Sequence, residues 1–302
     1  MHPLFLLACA GSAEPAPDDT AADTAPLATP ELKFRYVVIG DPHVSDPSGD
    51  ARDRLDRAVA WINAEAPARD LRLAIVVGDI AWDDGVEPAL ASLEALTIPW
   101  VPINGDNEVH LGAEESFSVA FAPQYEALAD TFDDWEKPTA EVENPEWGVT
   151  SWFHNMAFTF EGIRFVGIDW ASRDPNAVLG EFGELHDFPG GSFPFFEEQI
   201  TRSSVGNTEN VVVFTHIPMH LGAFDVSEMD RIKAVTAPLG AHVWADLAGH
   251  YHASASETVE GAGYDLHVTD ATWDDEIELR LVEVWVAGTA FAPVTELVVV
   301  PR

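Results

Sequence analysis

The first part of the folded chain alternates between short apolar runs and segments with helical periodicity. The run FRYVVIG predicts a buried strand, and the segment after it places Leu55, Val59 and Ile62 at helical spacing. The predicted elements are a strand at 34–40, a helix at 52–66 that ends before Pro67, a strand at 71–77, a helix at 86–96 and a strand at 98–103. Strands and helices in this order are typical of a parallel sheet with right-handed crossovers.

The pattern changes after the third strand. Residues 114–129 predict a helix with an aromatic face, although Pro123 is expected to kink or split it. The acidic stretch 131–148 has no clear period and is interpreted as a surface loop. Residues 151–160 and 163–170 predict a β-hairpin. Beyond them the chain predicts helices at 193–200 and 231–239, strands at 210–216 and 242–250, and a β-rich part from 265 to the end.

The N-terminal segment has a different composition. Residues 1–9 end in LFLLAC, which resembles a bacterial lipoprotein signal with Cys9 as the lipidated residue. A misassigned start codon or an ordinary secretory leader would also explain this short leader. Residues 10–31 are rich in Ala, Pro, Asp and Thr and predict a disordered tether, so that 32–302 form the folded domain. We therefore expect a protein of the cell envelope or the extracellular space that contacts the membrane only through a lipidated Cys9.

Charge restricts the possible partners. The 302 residues contain 52 acidic and 15 basic side chains, which gives a formal net charge of −37. Such a surface repels phosphate backbones, so no nucleic acid polymer is expected as a partner and a nuclease is disfavoured. The charge also suits a salty medium, although an acidic secreted protein would look similar. With Cys9 as the one cysteine, an intrachain disulfide and a thiolate metal site are excluded.

Residues able to bind metal follow five of the predicted strands. In open α/β sheets, ligands bind beyond the carboxyl ends of the strands. Each motif alone also fits a turn or a surface histidine, but their shared position predicts one site. Oxygen and imidazole ligands without thiolate suit Mn, Fe, Zn or Co, and their number indicates two divalent or trivalent ions. The residues are Asp41 and His43 in DPH, Asp79 in GD, the stretch NGDNE at 104–108, His216 in THIP, and His250 and His252 in GHYH.

The series DPH, GD, NGDNE, THIP and GHYH resembles the calcineurin-like metallophosphoesterase superfamily, which includes the purple acid phosphatases. The resemblance covers residues 34–302. It implies a four-layer α/β sandwich, with two mixed sheets flanked by helices and a β-rich C-terminal part. It also implies hydrolysis of phosphoric mono- or diesters, as small substrates, by a hydroxide that bridges two metal ions. By position, Asp41, His43 and His252 would hold the first ion, His216 and His250 the second, and Asp79 would bridge both.

The stretch NGDNE departs from the superfamily pattern at two positions. Asp106 stands where an asparagine ligand is expected, and because it still offers an oxygen we interpret it as a metal ligand. Asn107 stands where a proton-donating histidine is expected. It can hydrogen-bond a phosphate oxygen but cannot protonate a leaving alkoxide, a loss that typically costs ~10²–10⁴-fold in rate.

Two nearby histidines are candidates to replace the missing acid. His110 follows Asn107 by three residues, and His220 follows His216 by four. Either could instead be a surface residue or one that orients a neighbour. Trp82 could stack on an organic substituent or simply pack. The alternative to an active esterase is an impaired metal-binding or interaction module anchored at the cell surface.

Overall fold

A computed structural model describes residues 29–176, 182–205, 210–273, 276–287 and 290–301. The predicted leader 1–9 with Cys9, and the predicted tether as far as residue 28, lie outside the described residues. The first strand begins at Glu31, one residue before the predicted start of the domain.

Within the described residues, one sheet has five strands. Its strands are β1 (Glu31–Ile39), β2 (Leu71–Val77), β3 (Trp100–Ile103), β13 (Glu278–Ala287) and β14 (Ala290–Val299). Their order across the sheet is β14-β13-β1-β2-β3. The strands β1, β2 and β3 are parallel, whereas β13 is antiparallel to both of its neighbours. The carboxyl ends of the first three strands therefore meet at one edge of the sheet.

The second sheet has seven strands in the part of the chain that the structure describes. Its strands are β4 (Asp133–Glu136), β7 (Met156–Phe160), β8 (Ile163–Ile168), β9 (Val211–Thr215), β10 (Val243–Ala248), β11 (Ala255–Thr258) and β12 (Asp265–Val268). The order is β11-β12-β10-β9-β8-β7-β4, and β8, β9, β10 and β12 run parallel to one another. A separate hairpin pairs β5 (Glu141–Asn144) with β6 (Val149–Trp152).

Helices cover the outer faces of the two sheets. The helices are α1 (Asp50–Arg69), α2 (Val86–Leu93), α3 (Asp106–His110), α4 (Glu114–Ala129), α5 (Ser192–Val205) and α6 (Val226–Thr236). One apolar core joins α1 and α2 to the five-stranded sheet and continues between the sheets, where Tyr36 meets Phe165 edge to face. A second core packs α5 and α6 against the seven-stranded sheet. The predicted four-layer sandwich of two mixed sheets, with a β-rich C-terminal part, is confirmed.

Two local predictions were wrong. Residues 131–148 contain β4 and β5 rather than a surface loop only. Phe132 and Trp135 at β4 pack on Phe158 of β7, and β5 pairs with β6. The helix predicted to end before Pro67 continues to Arg69. At that position the proline lies in the last turn, where it removes one backbone hydrogen bond near the helix end. The predicted helix at 114–129 is present as α4, which spans Pro123 as one element and so is not split at the proline.

Among the helices of the described residues, none combines the length and the apolar character that a membrane span requires.

Candidate metal centre

The loops after β1, β2 and β3 bring three aspartates to one edge of the five-stranded sheet. Asp41 lies two residues beyond the end of β1, Asp79 lies two residues beyond the end of β2, and Asp106 opens α3 after β3. All three side chains are buried. Buried carboxylates are costly unless a positive group or hydrogen-bond donors compensate them.

The second sheet supplies histidines from the opposite side. His216 follows β9, and His250 and His252 lie in the loop after β10. The backbone N–H of His250 donates to both carboxylate oxygens of Asp41, at 3.0 and 3.1 Å, and so joins the two sheets at this edge. Residues separated by more than two hundred positions thus meet in one place.

The polar side chains form two adjoining groups, each with ligand atoms within 4.8 Å of one another. The first group contains Asp41, His43, Asp79 and His252, and the second contains Asp106, His216 and His250. In the second group, Asp106 Oδ1 lies 2.9 Å from His216 Nε2 and 3.0 Å from His250 Nδ1. Asp79 faces both groups. Its Oδ2 lies 3.2 Å from His43 Nε2, and its Oδ1 lies 3.3 Å from His216 Nε2.

The backbone is strained at most of these positions. Asp41, His43, Asp79, His250 and His252 all have positive φ, between 41° and 75°. Non-glycine residues rarely adopt this conformation, which costs of order 1–3 kcal/mol each and is concentrated at functional sites. Contacts between the loops stabilise this strained conformation. In one of them, the backbone N–H of His43 donates to the carbonyl oxygen of Asp79 at 2.9 Å.

Glycines allow the loops to approach this closely. Gly78 has φ +83°, and a Cβ placed there would lie 2.5 Å from Cβ of His216. A Cβ on Gly105 would collide with Oδ1 of Asp79. Only glycine therefore permits these two loops to pack against the candidate ligands.

The electrostatics of the site favour a cation. Burial raises the pKa of Asp41 well above its ordinary value, with partial compensation from His216. Asp79 is also buried, but the charge of His216 lowers the pKa of Asp79 to about 2. Although burial favours the neutral ring, the carboxylates raise the pKa of His216. The field that holds a proton on this imidazole also attracts a metal ion, which displaces that proton when it binds.

The loop NGDNE is fixed by Glu108 and by the backbone of Asn107. Glu108 is fully buried, and its carboxylate accepts hydrogen bonds from the backbone N–H groups of Ala81 and Gly105, at 2.7 and 2.6 Å. Burial and the charge of Asp79 raise the pKa of Glu108 to about 8. Asn107 N donates to Asp79 Oδ1 at 2.9 Å. No hydrogen bond within the described residues engages the amide side chain of Asn107, which is partly exposed.

The two candidate acids lie in different surroundings. His110 is partly exposed at the end of α3, where burial lowers its pKa and the carboxylates of Asp106 and Asp79 oppose that effect. His220 Nε2 lies 2.8 Å from the hydroxyl of Tyr251, and its Nδ1 lies 3.5 Å from Glu257. His220 thus supports the loop of His250 and His252, whereas His110 lies in the field of the two aspartates.

Sequence reasoning missed two residues at this site. The Trp273 ring stacks on the His43 imidazole with centroids 5.2 Å apart and is 38% exposed, and Trp82 makes an edge contact with the same imidazole. Its position after β12, a parallel neighbour of β10, is the signal that could have identified it. Asn104 is buried, and neither polar atom of its side chain has a hydrogen-bond partner within the described residues. Trp273 and Trp82 together form an aromatic wall beside the first group.

Two other histidines lie outside the two groups. His154 is buried and stacks on Tyr125 with ring centroids 5.5 Å apart. His186 belongs to a different cluster with Glu146 and Glu184. Neither side chain belongs to the centre at the strand ends.

Comparison with solved structures finds similar chains at low identity. A Staphylococcus aureus protein provisionally assigned as a 5'-nucleotidase has 11% identity and a TM-score of 0.46, over 89% of this chain and 54% of that one. The sulfate thiohydrolase SoxB of Thermus thermophilus has 14% identity and a TM-score of 0.49, over 90% of this chain and 57% of that one. A phosphopantetheinyl hydrolase of Mycobacterium tuberculosis has 10% identity and a TM-score of 0.41, over 80% of this chain and 91% of that one. The chain thus spans little more than half the length of the first two. No curated protein matches the chain.

The family model for calcineurin-like phosphoesterases matches residues 34–254. This range includes every candidate ligand from Asp41 to His252. The match covers more than half of the 302 residues. The chain therefore belongs to the calcineurin-like phosphoesterase family.

Proposed function

We propose that the protein hydrolyses small phosphoric esters at a dinuclear metal centre. The proposal is carried by the position of Asp79, whose two carboxylate oxygens face imidazoles of different groups. A carboxylate in this position suits two ions about 3.5–4 Å apart. The remaining ligands would be Asp41, His43 and His252 for one ion, and Asp106, His216 and His250 for the other.

The chemistry of the donor set supports this assignment. The seven residues offer carboxylate oxygens and imidazole nitrogens, which suit Mn, Fe, Zn or Co. When bound, such ions supply a nucleophilic water at neutral pH and compensate the charge of the phosphoryl group. Asp106 adds one negative charge more than an asparagine ligand would, and so strengthens cation binding.

Asn107 is placed to orient the substrate rather than to protonate it. Its backbone is fixed to Asp79, and its partly exposed amide can donate to a phosphoryl oxygen. An amide has no proton to give to a departing alkoxide, so esters with good leaving groups lose least. Of the two candidate acids, His110 is the better placed, because both ring nitrogens of His220 face other side chains.

The surroundings of the site support a small aromatic ester as the substrate. Trp273 and Trp82 flank His43 and offer apolar surface to an organic group. The net charge of −37 opposes a nucleic acid polymer. The choice between monoester and diester is left to experiment.

Metal analysis together with a panel of substrates tests the proposal. We expect the purified protein to hold about two ions at the strand-end centre. After Mn or Fe loading it should hydrolyse an aryl phosphate or a bis-aryl phosphate. A protein that binds metal normally but turns over no ester of a broad panel would instead be a metal-binding or interaction module. The buried carboxylates favour the enzyme, because an abandoned site has no need to retain them.

Anchoring at the cell envelope through a lipidated Cys9 remains a separate proposal. It rests on the leader sequence alone. Mass spectrometry of the membrane fraction should detect diacylglyceryl Cys9 at the new N-terminus. An intact N-terminal methionine would overturn it.

A further inference from the structure

A second cluster of ionisable side chains lies away from the strand-end centre. Glu146, in the turn between β5 and β6, meets Glu184 and His186 of the segment before α5. The ligand atoms of these three residues lie within 4.8 Å of one another. We call this group the hairpin cluster. It shares no residue with the groups that contain Asp79 and Asp106.

The His186 ring is oriented like the ring of a metal ligand. His186 is 1% exposed, and its Nε2 lies 2.9 Å from the carbonyl oxygen of Ala171. Because a carbonyl only accepts, Nε2 carries the hydrogen, and Nδ1 of the neutral ring is left with a lone pair. Metal-binding histidines almost always donate their other ring N–H in this way. The adjacent Phe153 ring, with its centroid 4.7 Å away, packs against the imidazole.

The free nitrogen of His186 points at the two carboxylates. Nδ1 has no hydrogen-bond partner within the described residues. It lies 3.8 Å from Glu184 Oε2 and 3.9 Å from Glu146 Oε2, which is beyond hydrogen-bond range. Metal–nitrogen and metal–oxygen bonds of about 2.0–2.2 Å each can span such a separation through one ion.

Glu184 is held in place by other donors. Its Oε2 accepts from Ser172 Oγ at 2.9 Å and from the backbone N–H of Arg173 at 3.1 Å, and its Oε1 accepts from the Trp147 indole at 3.0 Å. Carboxylates that bind metal are themselves hydrogen-bonded in the same manner. Glu146 is more exposed, at 39% of its side chain, and leaves one side of the cluster open to water.

The cluster has an excess of negative charge. No salt bridge found among the described residues joins Glu146 or Glu184 to a lysine or arginine. The nearby guanidinium of Arg173 is engaged by Asp169, at 2.7 and 2.8 Å, and by Glu114, at 2.6 Å. Two carboxylates thus face Nδ1 of one imidazole.

We propose that the hairpin cluster is a further metal site, which binds a divalent first-row transition ion such as zinc and fastens the β5–β6 turn to the segment before α5. One imidazole with two carboxylates suits such an ion, with water completing its coordination. Calcium and magnesium prefer a shell made of oxygen alone. The role is structural, because the site joins two loops and leaves the ligands at the strand ends unchanged.

Metal content of matched variants of the full chain tests the proposal. The protein is stripped with chelator, reloaded with Zn²⁺, desalted and analysed for bound metal. Glu146→Gln should retain one equivalent less than the wild type, because a neutral amide replaces a partly exposed carboxylate. Glu143→Gln, an exposed position of the same hairpin, should retain as much as the wild type. Equal zinc content in Glu146→Gln and the wild type would overturn the proposal.

Two further measurements separate this site from the dinuclear centre. His186→Asn should lose the same single equivalent, and asparagine tolerates the positive φ of 52° at this position. Asp79→Asn should retain the zinc of the hairpin cluster even where the metal of the strand-end centre is lost. Excess Ca²⁺ should leave the zinc in place, whereas its displacement by Ca²⁺ would contradict a transition-metal site.

Discussion

Asp79 and Asp169 are both buried acids, but the fold surrounds them with different partners. Asp169 forms two hydrogen bonds with the guanidinium of Arg173, which also pairs with Glu114. Asp79 has imidazoles and backbone N–H groups around it, among them the N–H of Asn107. The permanent positive charge of Arg173 thus compensates Asp169. Asp79 depends instead on imidazoles, which can exchange a proton for a metal ion. The difference distinguishes a structural ion pair from a site prepared for a ligand.

The largest effect is expected when the carboxylate of Asp79 is removed. Asp79→Asn should lower kcat/KM on an aryl phosphate on the order of 10³-fold or more, since several kcal/mol of transition-state stabilisation depend on the bound metal. The melting temperature measured in chelator should fall, because the surroundings that lower the pKa of Asp79 to about 2 stabilise its charged form in the folded state. Unchanged activity would contradict the assignment of Asp79 as the bridging ligand.

The matching change in the other region should affect stability instead. Arg173→Met leaves Asp169 and Glu114 buried without their cation, so we expect a loss of about 3–5 kcal/mol in the free energy of unfolding. Urea denaturation measures it.

A control substitution at an exposed ion pair gives the reference value. Arg231→Met breaks an exposed pair with Asp187 and should cost at most about 1 kcal/mol. Equal losses at Arg173 and Arg231 would remove the distinction between the two regions.

The leaving-group argument predicts an effect of intermediate size at Asn107. Asn107→His restores a group able to donate a proton, and we expect activity on alkyl phosphates to rise about 10–10²-fold. Aryl phosphates, which depart without protonation, should change little. Parallel kinetics on both ester types provide the measurement, and a uniform change would mean that the histidine acts in some other way.

His267 should respond to acid in the opposite sense to His216. Burial, together with Arg280, lowers the pKa of His267 to about 4, whereas the carboxylates raise that of His216. Since the pKa of His267 is lower in the folded state, its contribution to stability is present above about pH 6.5 and is lost as the pH falls towards 4.

Replacement of His267 measures this contribution. Between pH 7 and pH 4.5, the His267→Gln variant should lose about 1–2 kcal/mol less stability than the wild type. Denaturant unfolding at both pH values checks the prediction. An identical pH dependence in the two proteins would show that His267 takes up no proton in this range.

The smallest expected effect concerns the aromatic wall. Trp273→Ala should raise KM for aryl phosphates about 3–10-fold, as expected for the loss of one aromatic contact worth about 0.5–1.5 kcal/mol. Methyl phosphate serves as the control, because it has no ring to stack. A similar rise for both substrates would point to a disturbed His43 rather than to lost stacking.

The sequence allowed prediction of the sheets and of the residues at the strand ends, for a local reason. Apolar runs mark buried strands, and the residue that follows a parallel strand lies at the edge where ligands bind. Asp41, Asp79 and His216 could therefore be named before their distances were known. Their roles as metal ligands remain predictions.

Other features depend on contacts between distant segments and have no local signature. The strands β4 and β5 lie in a stretch whose acidic composition suggests a loop. The strand β4 pairs with β7, where Phe132 and Trp135 pack on Phe158, and β5 pairs with β6. The sequence near Glu146 gives no indication that this residue lies beside His186. His220 is close in sequence to the candidate ligand His216, but its ring contacts Tyr251. Pairings of this kind follow from topology rather than from spacing.

The place of β1 in its sheet has a consequence for synthesis on the ribosome. This first strand lies between β2 and β13, so its second edge is paired only by residues 278–287. During translation the nascent chain therefore exposes one side of β1 until residues 278–287 have been made. The loop that carries Asp41 and His43 is among the first parts of the domain to leave the exit tunnel, and its supporting sheet is among the last to be completed.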